Sequence, residues 1–184
     1  MELFRLPRDA GPLILPRVEQ IIADDSSRGP MSPWKVTPPK DDREYFERMI
    51  MHMFSAGLNW KVVENKKPGF EKAFSDFSPT EVAKFTSSDA KRLMNDPGIV
   101  RNEKKVLATI YNAAQFLEIT KEYGSFKRYL DHFGKGQEKL QTDLQERFHH
   151  MGPSTARMFL WAVGYPLTPN KEEKEWMASR DMPD

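Results

Sequence analysis

The chain has 184 residues, which at roughly 150 residues per domain predicts one compact domain with irregular ends. It contains no cysteine, so disulfides, thiolate nucleophiles and cysteine-based zinc or iron–sulfur sites are excluded; the four histidines do not fall at a usual zinc spacing, and no metal or cofactor is expected. Lysine and arginine total 28 against 27 acids, a net charge of +1, so any affinity for nucleic acid must come from local arrangement rather than from a global basic field.

The start of the chain meets Arg5, Pro7 and Asp9 before any apolar run of signal-peptide length. No later stretch approaches ~18 consecutive apolar residues, which predicts a cytoplasmic protein without a membrane span; a monomer is expected. Apolar residues recur at three and four through the middle, so the protein reads as all-α. Residues 1–40, with Pro7, Pro12, Pro16, Pro30, Pro33, Pro38 and Pro39, form an irregular arm that admits one short helix, about Pro16 to Ala23. A helical domain is expected over 41–164.

Asp41 and Glu44 form a capping box for a helix on which Tyr45, Met49, Ile50, Met53 and Phe54 repeat until Gly57. Asn59 caps the next helix, Pro68 interrupts it, and Phe70, Phe74 and Phe77 supply packing before Ser78, Pro79 and Glu81 open a short helix. Ser87 or Ser88 opens another, ending near Asn95. The turn DPGIV leads into a long helix from about Asn102 to Tyr123, with Val106, Leu107, Ile110, Ala114 and Leu117 on its expected buried face and Gly124 as its stop. Ser125 opens a helix carrying Phe126, Tyr129, Leu130 and Phe133; Gly134 and Gly136 break the chain, and Thr142 with Gln145 opens a helix through Phe148. HHMGPST and a last helix, Ala156 to Val163, complete a helix-hairpin-helix over about 142–163. The tail, 165–184, has Pro166, Pro169 and a charged NKEEKE run expected at the surface.

Chemistry has three candidate places. HHMGPST is a tight turn followed by a helix start, and the amides of Gly152, Ser154 and Thr155 suit a phosphate oxygen whatever the base sequence, with Arg157 adding charge; an ordinary hairpin capped by Ser154 fits the same residues. PGIVRNEKK puts Arg101, Lys104 and Lys105 at the positive end of a helix, a placement that an anion would explain, though a solvated face with Glu103 compensating would also account for it. In SAGLNW, Leu58 stands at a turn tip, as a wedge between base pairs would, and Trp60 is placed to stack on an extruded base; core packing is the alternative for both. His52 shares the helical face of Tyr45, Met49 and Ala56, which turns it toward the core or a pocket in it. Asp41 and Asp42 lie at a helix start, where capping outweighs catalysis.

In chain order, FSAGLNW, GFEKAFSDFSPTEVAKF, DPGIVRNEKKVLATIYNAAQFL, YGSFKRYLDHF and FHHMGPSTARMFLWAVG together resemble the 3-methyladenine DNA glycosylase I family, from about Trp34 to Gly164. The resemblance implies a helix-hairpin-helix DNA glycosylase fold that bends double-stranded DNA containing damaged bases, flips an alkylated purine and hydrolyses its N-glycosidic bond in base-excision repair. By position, Gly57 and Leu58 match the plug that fills the vacated stack, Trp60 the base-stacking aromatic, Gly152 to Thr155 the DNA-holding hairpin, and Arg101, Asn102 and Lys105 a shared motif.

Three departures stand out. His52 occupies the position of the family glutamate that hydrogen-bonds the flipped base, so any catalytic role there falls to an imidazole, and Ser55 replaces the plug's glutamine. The resemblance also implies a zinc ion held by cysteines and histidines from both chain ends, and this sequence has none of those ligands, so the ends must be fastened by packing. A catalytically silent DNA-binding module is the alternative expectation.

Overall fold

Asp41 opens the first helix, accepting from the Glu44 amide at 2.9 Å, while the Glu44 carboxylate accepts from the Lys40 amide rather than from Asp41. The expected capping box is therefore reciprocal by one residue of offset. The computed structural model describes residues 38–180; the short helix expected near Pro16 to Ala23 lies outside the described residues. Among those described, all regular structure is helical, and no helix is long and apolar enough to cross a membrane.

Helix α1 (Asp42–Ser55) buries Tyr45, Phe46, Met49, Ile50, Met53 and Phe54. Helices α2 (Trp60–Asn65) and α3 (Lys67–Ala73) follow, with Asn59 capping α2 and Pro68 in the first turn of α3. Phe70, Phe74 and Phe77 are fully buried, and Phe70 meets Phe54 edge-on at 4.7 Å. Helix α4 (Pro79–Val82) is capped by Ser78 and α5 (Ser87–Met94) by a Thr86–Asp89 capping box, one residue earlier than Ser87.

The turn after α5 is pinned by a backbone approach that only glycine permits: a Cβ on Gly69 would lie 2.2 Å from the Gly98 carbonyl oxygen. Lys66 Nζ donates to the Pro97 carbonyl at 2.6 Å from the same side. This holds against α3 the turn that leads into α6 (Glu103–Tyr123), the 21-residue spine of the domain.

The buried face of α6 includes the expected Val106, and Leu107 and Ile110 pack against the core as expected, but its centre is rotated from the expected one. Ala114 is exposed and Leu107, Ile110 and Leu117 are half-buried, whereas Lys105, Val106, Thr109, Asn112, Ala113, Phe116 and Ile119 face inward. Apolar periodicity passes over the polar members of this stripe, and each is inside because it has a partner there. Phe116 stacks on Phe126 with ring centroids 4.4 Å apart, and the Phe126 amide donates to Asp42 Oδ1 at 2.9 Å, so α7 (Phe126–His132) locks α1 and α6 together.

Helix α8 (Gln137–Arg147) begins five residues before Thr142. Thr142 is an interior helical residue whose hydroxyl bonds back to the Glu138 carbonyl at 3.0 Å; Gly136, just before the helix, marks the start. After a turn, α9 (Pro153–Ala162) completes the helical hairpin, and Arg48 of α1 donates to the Ala162 carbonyl at its end.

The tail is only partly surface. Tyr165 and Leu167 extend the core, and the Tyr165 hydroxyl donates to the Gly134 carbonyl at 2.6 Å. Helix α10 (Lys171–Arg180) is fastened through Glu173, a fully buried carboxylate inside the run expected to be solvated. It accepts from Nε and Nη2 of Arg157 and, at 3.3 Å, from the Trp161 indole N–H. These bonds hold the Glu173 carboxyl below its ordinary range against burial, which raises it.

Candidate nucleic-acid interface

Two turns carry the candidate residues, and both are built on α6. The first closes α1. The Ala56 amide donates to the His52 carbonyl, Gly57 adopts φ +77°, and the Leu58 amide returns to the Ser55 carbonyl at 2.9 Å. The left-handed backbone is why glycine stands there. Leu58, 38 % exposed, is left at the tip, with Trp60 half-buried at the start of α2 and Lys61 Nζ 5.9 Å from the indole centroid.

What fixes this turn is Lys105, only 8 % exposed, whose ammonium donates to the Phe54 carbonyl at 3.0 Å and the Ala56 carbonyl at 2.7 Å. These are carbonyls at the negative end of α1, otherwise without helical partners. Burial lowers the Lys105 pKa. The cation expected to meet an anion is thus spent inside the protein, as the cap of the wedge turn. Arg101 and Asn102 stay exposed, and Asn102 caps α6 at the Lys105 amide, 3.1 Å.

The second turn joins α8 and α9. Asn112, fully buried on α6, grips the backbone of His149 on both sides: its Nδ2 donates to the His149 carbonyl at 3.0 Å and its Oδ1 accepts from the His149 amide at 2.8 Å. Tyr111, 36 % exposed, stacks on the His149 ring with centroids 3.9 Å apart and planes within 9°. His150 is exposed at φ +55°. Gly152 is the N-cap of α9 and no side chain caps it; the Ser154 hydroxyl points toward Met158 Sδ, 4.0 Å away. The first-turn amides beside exposed Gly152 and Ser154 and half-buried Thr155 are therefore available to an anion. Arg157, expected to add charge here, is instead committed to Glu173 and to the Thr168 carbonyl.

Lys105 and Asn112 are seven residues apart, two turns of one helix, so the two turns sit over one face of α6 about 10 Å apart along its axis. Asn112 Nδ2 also lies 3.7 Å from Met53 Sδ on α1, tying hairpin to wedge. Neither Asn112 nor the buried role of Lys105 was visible from spacing. A polar residue interrupting an apolar stripe of a long helix was the available signal.

His52 is 2 % exposed, inside α1's packed face. Burial foremost, and then the nearby Arg48 guanidinium, push its pKa down to about 3, so the imidazole is neutral at any physiological pH. Ser55 donates its hydroxyl to the His52 carbonyl at 2.9 Å. A cavity of about 490 Å³ lies elsewhere, beside α8, with Glu138, Asp143 and Glu146 among its lining residues, a charge unsuited to a phosphate backbone.

An all-helical domain that brings an exposed apolar turn and an amide-lined helical hairpin to one helix face matches the helix-hairpin-helix DNA glycosylase fold that the resemblance implies. The sequence model of the methyladenine glycosylase family matches residues 32–158, and the chain belongs to that family. It is 35 % identical over 86 residues to DNA-3-methyladenine glycosylase 1 of Escherichia coli K12 and 30 % identical over 93 residues to DNA-3-methyladenine glycosylase of Haemophilus influenzae. These alignments cover 47 % and 50 % of this chain, which spans about half the length of the curated relatives it matches, 46 % and 50 %. Among solved structures, 3-methyladenine DNA glycosylase I from Staphylococcus aureus is 31 % identical with a TM-score of 0.66, over 73 % of this chain and 82 % of that one. A variant of 3-methyladenine DNA glycosylase I in complex with 3-methyladenine is 32 % identical, also at 0.66, over 73 % and 83 %.

The zinc implied by the resemblance does not fit this chain. There is no cysteine, and no group of three or more histidines and carboxylates among the described residues is placed to hold a metal. At the carboxyl end, the Arg157–Glu173 pair supplies a fastening of a different kind.

Proposed function

We propose that this protein is a DNA N-glycosylase of the 3-methyladenine class that acts as a cytoplasmic monomer on duplex DNA carrying an alkylated purine. The observation that carries the reading is the placement of wedge turn and hairpin turn over one face of α6 through Lys105 and Asn112. The hairpin amides, with exposed Arg101, hold the backbone. Leu58 fills the gap left by the extruded nucleotide, and Trp60 stacks on the base.

An N3-methylated adenine carries positive charge and leaves as a neutral base, taking the electrons of the glycosidic bond; water adds to the sugar carbon and gives up its proton. Such a leaving group needs little acid catalysis, so stacking, exposure and stabilisation of the cationic sugar do most of the work. His52, neutral and buried inside the packed face of α1, stands where the resemblance implies a carboxylate, so no charge reaches the base from this position. It brings neither the attraction of a carboxylate for a cation nor the repulsion of an imidazolium, so selection by charge is weaker and neutral modified purines gain relative to 3-methyladenine.

Incubating the protein with methylated duplex DNA and resolving the free bases by chromatography tests this. Release of a modified purine that falls about 10- to 100-fold in Trp60→Ala is expected, since base–aromatic stacking contributes roughly 1–3 kcal/mol. No released base, or release indifferent to Trp60→Ala, overturns it. One observation favours a second reading, a silent DNA-binding module: the base-contacting position is a buried neutral imidazole instead of a carboxylate. That reading predicts duplex binding that weakens with salt at a log–log slope of about −0.9 per phosphate and is indifferent to lesions.

A further inference from the structure

The hairpin function described above uses backbone amides and leaves the two histidines of HHMGPST without a task. Their placement is specific. The backbone of His149 is held by the two-sided grip of Asn112, and its imidazole is stacked on the Tyr111 ring at 3.9 Å beside the exposed turn. His150 is exposed at φ +55°, a conformation that glycine adopts freely and a side chain only at a cost.

The surroundings are of one sign. The charges acting on His150 are Lys105, His149 and Lys104; of these, Lys105 is engaged with the wedge-turn carbonyls and Lys104 is exposed. The first turn of α9 contributes Pro153, Ser154 and Thr155 and no acid, while Arg147, at the end of α8, is occupied by Asp143 and Glu122. Two imidazoles and the exposed Lys104 ammonium at one corner, with no acid contributed by the first turn of α9, offer donors suited to an anion.

We infer that His149 and His150, with Lys104, form a side-chain seat for one phosphodiester of the bound strand, and that the imidazoles take up a proton as it docks. This deepens the proposed function and rests on its reading that the chain binds duplex DNA. In the free protein partial burial holds both imidazoles below the ordinary histidine range, and at His150 Lys105, His149 and Lys104 add to this. An arriving phosphate favours the charged form, and linkage then requires affinity to rise as pH falls.

The test uses the full chain and a duplex carrying a tetrahydrofuran abasic mimic. Calorimetry near pH 7 in two buffers of different ionisation enthalpy is expected to show net proton uptake, and Kd is expected to tighten roughly tenfold from pH 8 to pH 6, within the limit of about tenfold per pH unit per proton. His149→Phe with His150→Asn, which keeps a stacking ring and a residue tolerant of positive φ, should abolish both effects and reduce the salt slope by about one phosphate. His132→Gln should leave them intact, since His132 lies at the end of α7 beside Tyr123. Wild-type affinity independent of pH without proton uptake overturns the inference, as does uptake that survives in the double variant. If base release and lesion preference persist while proton uptake is absent, the seat fails alone; if no duplex binds at all, the reading beneath it fails as well.

Discussion

The two turns of the candidate interface are held by the same helix in opposite chemical ways. The wedge turn hangs on a buried ammonium that bonds two helix-end carbonyls, while the hairpin turn hangs on a buried neutral amide that matches one donor and one acceptor. The ammonium carries a desolvation cost, visible in its lowered pKa, that is offset only while both carbonyls stay in place. The neutral amide carries a smaller desolvation cost, offset by its two bonds, and fixes a register. The wedge is thus coupled to a charge, and the hairpin to a shape.

Removing the charge should do the most damage. Lys105→Met keeps the stem but strands the Phe54 and Ala56 carbonyls, and should cost roughly 3 kcal/mol in denaturant unfolding, as breaking buried charged hydrogen bonds does. Base release should fall at least 100-fold because Leu58 and Trp60 lose their common platform. If the folded variant keeps its activity, the wedge turn does not depend on its cation. Asn112→Ala leaves one amide and one carbonyl of His149 without partners and should cost about 2 kcal/mol. Its activity defect should appear as weaker binding to damaged and undamaged duplex alike, in contrast to the lysine variant.

Leu58→Ala removes an exposed side chain, so stability should change by less than about 0.5 kcal/mol. Base release should nevertheless drop about tenfold, because the vacated stack is left open. The smallest effect near neutral pH, where it is nil, belongs to His52. Its pKa is lowered from 6.5 to about 3 on folding, so the unfolded chain binds the extra proton as pH falls between those values. Stability is fully present above about pH 6.5 and is lost below it by up to about 1.4 kcal/mol per pH unit from this group. A His52→Gln variant should flatten that acid limb of a pH-dependent unfolding curve; an unchanged limb would place the loss on other groups.

Helix boundaries were largely legible because caps are local: Asp41, Asn59, Ser78, Asn102 and Ser125 all cap where they stand in the sequence. The order of motifs was enough to name the family. What spacing could not give were bonds between distant residues. Lys105 lies 51 positions from Phe54 and Asn112 lies 37 from His149, and both look like surface residues until their partners are known. The same failing turned the expected face of α6 toward Ala114 and left Arg157 and Glu173, 16 residues apart, as two surface charges instead of one buried pair. Thr142 misled for the opposite reason: its hydroxyl resembles a cap but serves its own helix.

The account stands on one claim, that the exposed apolar turn and the amide corner engage the same stretch of duplex. Fluorescence anisotropy with an undamaged duplex and one bearing a tetrahydrofuran site tests it directly in wild type, Leu58→Ala and Ser154→Glu, the last placing a negative charge where the phosphate docks without harming the first turn of α9. Wild type should prefer the abasic mimic by about tenfold or more, a difference of roughly 1.4 kcal/mol; Leu58→Ala should erase the preference while keeping undamaged binding, and Ser154→Glu should weaken both duplexes together. Equal affinity of wild type for the two duplexes, or binding untouched by Ser154→Glu, would contradict it.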